Sequence, residues 1–158
     1  MNTVLLRVLA VVLSGVSPEP LEEKVVPFNA MPVECAAVYD ADIRQLRQAT
    51  ETQVITTDLN GDKEPELLIF NGNNGSGGET WVIMQKHNGK YRKAGEVFGF
   101  LSSVKPGLLV ATPCGWDGAV CSYYELVSGE LICKFNIFVE YSKPIRQEPK
   151  EIIVKILK

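Results

Sequence analysis

The sequence predicts a mostly β domain of the α+β class, an antiparallel sheet with one N-terminal amphipathic helix, and three observations lead there. β-Branched and aromatic residues dominate from Thr52 onward, whereas apolar residues at helical spacing occur once, between Ala36 and Ala49. The run Leu131 to Tyr141 alternates, with Leu131, Cys133, Phe135, Ile137, Val139 and Tyr141 on one face and Lys134, Asn136 and Glu140 on the other. Such alternation belongs to an antiparallel strand with one covered face. Asn88-Gly89 and Ser128-Gly129 suit the positive φ of tight hairpin turns. At 158 residues, 46% apolar and 22% charged, the chain has the material for one folded domain.

In chain order, Arg7 precedes the apolar run Val8 to Leu13, and the small residues Ser14, Gly15 and Ser17 follow it. That order is a signal peptide's, so residues 1–17 read as a signal peptide, with cleavage expected after Ser14 or Gly15 rather than before Pro18, and the mature protein is expected to be periplasmic or secreted. The run is shorter than the about 20 apolar residues of a spanning helix, so no stable membrane span is expected. Pro18, Pro20, Pro27 and Pro32 make residues 18–34 an extended leader, and the domain proper is expected over 35–158. In the helix, Tyr39, Ile43 and Leu46 share a face while Asp40 and Arg44 pair on another. Strands are expected near Gln53 to Thr57, Glu66 to Phe70, Thr80 to Lys86, Tyr91 to Phe98, Leu108 to Thr112, Ser122 to Val127, Leu131 to Tyr141 and Glu151 to Leu157. "ELLIF", apolar at every position after Glu66, reads as a central strand covered on both sides, one of them by the helix.

The four cysteines, Cys35, Cys114, Cys121 and Cys133, suit two disulfides in an oxidising compartment. Of the three pairings we favour Cys114 with Cys121, within the Gly-rich "CGWDGAVC", and hence Cys35 with Cys133. The alternative is four reduced cysteines serving as small core residues. Zinc is the weakest reading, because no C-x-x-C occurs and His87 is the only histidine. A formal charge of -3 supplies no basic field for a polyanion, so nucleic acid is not an expected partner.

The most specific chemistry lies in "TTDLNGDKEPELLIFNG", Thr56 to Gly72. Asp58, Asn60 and Asp62 stand at alternate positions, the Glu64 carbonyl continues the series, and Glu66 closes it. Calcium takes six to eight oxygens, and a loop offering them at alternate residues can wrap the ion. Carboxylates packed together without a cation repel one another, which makes a metal the natural complement. An all-oxygen set favours calcium over zinc or copper. An EF-hand is excluded, since the twelfth residue from Asp58 is Ile69 in an apolar strand rather than a bidentate glutamate. The other reading is an Asx-type turn with solvated carboxylates.

"DLNGDKEPELLIF" resembles the calcium loop of FG-GAP repeats, the strand-loop-strand elements of integrin α-chain propellers and of exported bacterial proteins. The resemblance is close over residues 58–70. It extends loosely to Val97 through "NGNNGSGGETWVIM" and "QKHNGKYRKAGEV", where small single-repeat exported bacterial proteins look similar. It implies a single propeller-blade-like strand-loop-strand element and a structural calcium ion held by Asp58, Asn60, Asp62, the Glu64 carbonyl and Glu66. Lys63 stands where the family has glycine, which calls for a left-handed backbone at a non-glycine residue. The loop has no second copy, and the length excludes a propeller of several blades.

Other segments carry less. Asn71 to Gly78 lacks the Lys-Ser/Thr ending of a phosphate loop and runs into Glu79, so it reads as a surface loop. His87 sits at a hairpin tip with no nucleophile beside it, and neither G-x-S-x-G nor H-E-x-x-H occurs. Trp116, Tyr123 and Tyr124 suit either a recognition surface or the covering of their own loop and core. No catalytic residue is assigned. The expected protein is an exported calcium-binding structural or interaction module whose partner is a protein or a glycan. Two other classes compete: an inhibitor or immunity-like partner of a secreted enzyme, and a metal-dependent hydrolase. The hydrolase requires an open coordination position and a second converging group, which the sequence does not display.

Overall fold

The computed structural model describes residues 21–38, 49–74, 78–104, 107–114, 118–141 and 152–157. The expected signal peptide, most of the expected helix and Trp116 lie outside them. All the expected strands form: β2 (Glu51–Thr57), β3 (Glu66–Asn74), β4 (Gly78–His87), β5 (Lys90–Phe98), β7 (Gly107–Cys114), β8 (Gly118–Val127), β9 (Glu130–Tyr141) and β10 (Ile152–Leu157). Two further strands join them, β1 (Glu23–Pro27) and β6 (Phe100–Val104). β1 corrects the expected domain start at Cys35: the proline-rich leader supplies an edge strand, where Pro27 needs no second ladder partner.

The strands form two antiparallel five-stranded sheets, ordered β1-β2-β3-β4-β5 and β10-β9-β8-β7-β6. The chain passes from one to the other at Gly99, between β5 and β6. Its φ is +145°, and a Cβ there would meet the Ala111 carbonyl oxygen at 2.6 Å. Only glycine fits that corner. Both predicted hairpins form, with φ of 51° and 79° at Asn88 and Gly89 and of 53° and 88° at Ser128 and Gly129.

One core lies between the sheets, where Ile55, Leu68, Trp81, Ile83 and Val97 of the first meet Leu108 and Val110 of the second. A second lies on the far face of the first sheet, where Ile69, Val82 and Met84 meet Cys35 of the short helix α1 (Val33–Ala36). Leu68 and Ile69 are both fully buried, one in each core, so "ELLIF" is covered on both faces as expected. Each such side chain contributes about 1.5–3 kcal/mol of burial. Of the helix expected over 36–49, Ala36 ends α1, Ala37 and Val38 form a turn after it, and residues 39–48 lie outside the described set.

The alternation expected in β9 is broken by a bulge. Tyr123 faces Phe135 while Tyr124 faces Cys133, which leaves Lys134 unpaired and turns the two halves of β9 to opposite faces. Leu131 packs with Tyr124 against the core between the sheets. Ile137 faces Cys121 on the other side.

β4, its turn and β5 recur forty residues later. Gly78–His87 corresponds to Gly118–Val127, the turn at 88–89 to that at 128–129, and the strand starting at Lys90 to that starting at Glu130. The bulges recur as well, at Ile83/Met84 and at Tyr123/Tyr124. The strand unit is therefore duplicated although the acidic loop is not: residues 98–106, which correspond to 58–66, contain no acidic residue and include β6.

Candidate metal centre

The acidic loop joins β2 to β3, the second and third strands of the first sheet. Thr57 and Glu66 face each other across the ladder, so the loop starts and ends on a fixed pair. The Asp58 carboxylate accepts from Gly61 N–H at 2.7 Å through Oδ1 and from Lys63 N–H at 3.1 Å through Oδ2. Asn60 Oδ1 accepts from Asp62 N–H at 2.9 Å, and Asp62 Oδ1 from Glu64 N–H at 2.7 Å. Asn60 Nδ2 donates to Asp62 Oδ2 at 2.7 Å. The three side chains at alternate positions thus curl the backbone around themselves, as Asx turns do. Gly61 and Lys63 both have positive φ, 78° and 71°. Lys63 adopts the left-handed conformation expected of it, at a cost of about 1–2 kcal/mol.

Two contacts tie the loop to the core. Leu59 is 1% exposed and packs with Ile55, Leu68 and Trp81. Its N–H donates to Glu66 Oε2 at 2.7 Å, and Glu66 is itself 1% exposed. Burial raises the Glu66 carboxyl above its ordinary range, the Leu59 N–H works against that, and the charges of Asp62 and Asp58 add to it. The ion pairs among the described residues, Lys24 with Glu22, Lys93 with Glu96 and Lys134 with Glu125, leave the loop without a basic partner. Tyr91 of β5 lies in the cluster with Cys35 and Met84, and burial first, then Cys35, Glu64 and Glu66, raises its phenol.

Among the described residues no three acidic, histidine or cysteine side chains converge as a ready-made cage. The loop's oxygens are instead directed at its own backbone. The donor set still fits a hard cation, because Asp58, Asn60, Asp62, the Glu64 carbonyl and Glu66 offer only oxygen. Each carboxylate oxygen that accepts one N–H keeps further lone-pair capacity. The spacing revealed these residues. It did not reveal Leu59 as the loop's anchor or Tyr91 as its neighbour, although Leu59, an apolar residue amid polar ones, was the available signal.

The other candidates are dispersed. His87 is exposed at the end of β4 and Asn88 begins the turn. Asn71 Oδ1 is buried without a hydrogen bond among the described residues, beside the irregularity between Phe70 and Asn73 in β3. Tyr124 packs on the core, while Tyr123 stacks on Phe135 at 5.1 Å.

Neither expected disulfide agrees with the structure. Cys35 and Cys133 carry free thiols, Cys35 buried on the far side of the first sheet and Cys133 exposed in the second. Cys133 keeps the face of Leu131 yet is exposed there, and its Sγ–H donates to Asn136 Oδ1 at 3.5 Å. Cys121 faces Ala111 on the β7–β8 ladder while Cys114 faces Gly118. Three ladder positions, about 10 Å, separate the two backbones, more than a disulfide spans.

No family model, curated protein or solved structure matches the chain.

Proposed function

We propose that this protein is a calcium-binding structural or interaction module, in which the loop from Asp58 to Glu66 holds one calcium ion that stiffens the corner between β2 and β3. The observation that carries the reading is Glu66. Its carboxyl group is 1% exposed, lies near Asp58 and Asp62 and has no basic partner among the described ion pairs, so burial penalises its ionised form unless a positive charge comes beside it. A cation bound by the loop oxygens supplies it. The positive φ at Gly61 and Lys63 and the resemblance to FG-GAP loops support the same reading.

In this reading the ion is structural. Asp58 and Asp62 hold the loop curled, Leu59 fixes it to the core, and Glu66 joins ion to sheet. The module is exported, acts without turnover and meets a protein or glycan partner through the loops around the site.

Thermal unfolding in EDTA and in millimolar calcium, for the wild type and Asp62→Ala, tests this. At a calcium concentration about 100 times its dissociation constant the wild type gains roughly 2.7 kcal/mol, a rise of several degrees. Asp62→Ala abolishes the gain. Equal midpoints with and without calcium would leave the loop as a self-bonded turn and overturn the reading.

A further inference from the structure

The hairpin of β4 and β5 concentrates positive charge in a chain whose formal net charge is -3. Lys86, Lys90, Arg92 and Lys93, four of the chain's 16 Lys and Arg, fall within eight residues, and no acidic residue lies between Glu79 and Glu96. These four and His87 are all exposed. Lys93 is taken by Glu96 at 2.7 Å, whereas Lys86, Lys90 and Arg92 enter none of the ion pairs among the described residues. Across the ladder Gln85 faces Arg92 and His87 faces Lys90, so these four share the face that carries Ile83 deeper in the sheet. Directly opposed Cβ atoms lie about 4.5–5.5 Å apart, and alternate residues of one strand about 7 Å apart. The tip therefore carries a small grid of cations and hydrogen-bonding groups, with Lys86 and Lys93 on its other face opposite Tyr91 and Met84.

We propose that this hairpin is where the partner docks and that the partner is an anionic glycan, a step that rests on the proposed function for the existence of a partner but not on the calcium ion. Lys90 and Arg92 pair with its carboxylate or sulfate groups, for which the planar guanidinium offers two parallel N–H donors. Gln85 and His87 beside them hydrogen-bond its hydroxyl groups. Three other partners suit the tip less well. A protein interface adds aromatic or aliphatic anchors and a membrane-bound tip inserts apolar groups, yet no exposed side chain from Lys86 to Lys93 is apolar. The dense charge of a nucleic acid would also meet Asp58, Asp62 and Glu64, because the β2–β3 loop and the β4–β5 turn leave the same end of the sheet. A glycan combines hydroxyl groups with more widely spaced charges, which matches cations set among neutral polar groups.

Calorimetric titration of the full chain with oligogalacturonate, dextran sulfate and uncharged dextran tests the proposal, and the first two distinguish carboxylate from sulfate. Binding is expected for at least one charged glycan and not for dextran, and it weakens as salt rises. Lys90→Glu/Arg92→Glu is expected to bind about tenfold or more weakly, with the neutral Lys90→Gln/Arg92→Gln in between. Lys24→Glu/Lys134→Glu changes the net charge equally, away from the hairpin, and is expected to bind like the wild type. Circular dichroism checks folding, and the glutamine pair decides the matter if the reversed pair is unfolded. Binding to neither charged glycan overturns the proposal, and so does equal binding to dextran. An equal loss in Lys24→Glu/Lys134→Glu overturns it too, since net charge rather than the hairpin would then be responsible. So does stronger hairpin-dependent binding to polyglutamate, anionic phospholipid vesicles or duplex DNA than to either glycan. Each titration is run in calcium and in EDTA. Hairpin-dependent glycan binding in both, with no calcium shift of the unfolding midpoint, supports the glycan site and sinks the calcium reading alone.

Discussion

At the scale of single residues, the backbone strain at Lys63 and the contrast between two thiols are the most exposed to test. Lys63 has a φ of 71° with no glycine to relieve it. Lys63→Gly is therefore expected to stabilise the domain by about 1 kcal/mol and to tighten calcium binding, because the loop conformation is then held at lower cost. Denaturant midpoints with and without calcium check both effects. Cys133 is exposed and Cys35 buried. A thiol reagent is expected to label Cys133 in the folded protein and Cys35 only on unfolding, with Cys133→Ser removing the fast-reacting site. Burial, and after it the charge of Glu34, pushes the Cys35 thiol up to about 11 from an ordinary 9.0. The fold favours the neutral thiol, so its contribution is complete below 9.0 and is lost as pH rises from there toward 11. Stability measured across that window falls in the wild type and falls less in Cys35→Ala.

At the scale of elements, the loop and β3 act as one unit. Leu59 enters the core from the loop, and its N–H holds the Glu66 carboxylate at the start of the strand. Leu59→Ala is expected to cost about 2–5 kcal/mol of stability through the cavity it leaves. It should also weaken calcium binding although Leu59 is no ligand, because the loop loses its attachment. Calcium titration of this variant by calorimetry reads that coupling, and an unchanged affinity would show that the loop holds its shape by its own hydrogen bonds. The oxygens at alternate positions were legible because a loop's ligand pattern is local. The attachment was not, since it depends on which loop residue lies over Trp81 and Leu68.

At the scale of the molecule, the two sheets meet closely at one point. A Cβ on Gly95 would lie 2.6 Å from the Leu131 Cβ, too near for any side chain. Gly95→Ala is expected to push β5 off β9 and destabilise the domain by about 1–3 kcal/mol. Leu131→Ala in the same chain is no remedy, because the contact is with the Cβ that alanine keeps. Trp81, buried in the core between the sheets, reports the loss through the midpoint of its fluorescence change on unfolding.

The sequence by itself determined the local features: both hairpins, the eight expected strands, the doubly covered "ELLIF" and the oxygen-bearing loop with its left-handed Lys63. Each rests on residues within a few positions of one another, where periodicity, turn chemistry and backbone sterics act directly. Only the tertiary structure decided the rest. It made a strand of Glu23–Pro27, whose single proline, Pro27, suits an edge, and of Phe100–Val104, which the Gly99 corner feeds into a second sheet. It also separated the cysteines, because Cys35 is buried on the far face of the first sheet while Cys133 is exposed in the second, and it placed one extra residue, Lys134, where the facing of the rest of β9 reverses. The forty-residue recurrence stayed hidden for a related reason. Turn positions, strand lengths and a bulge define it, and these constrain backbone geometry while leaving most side chains free to differ.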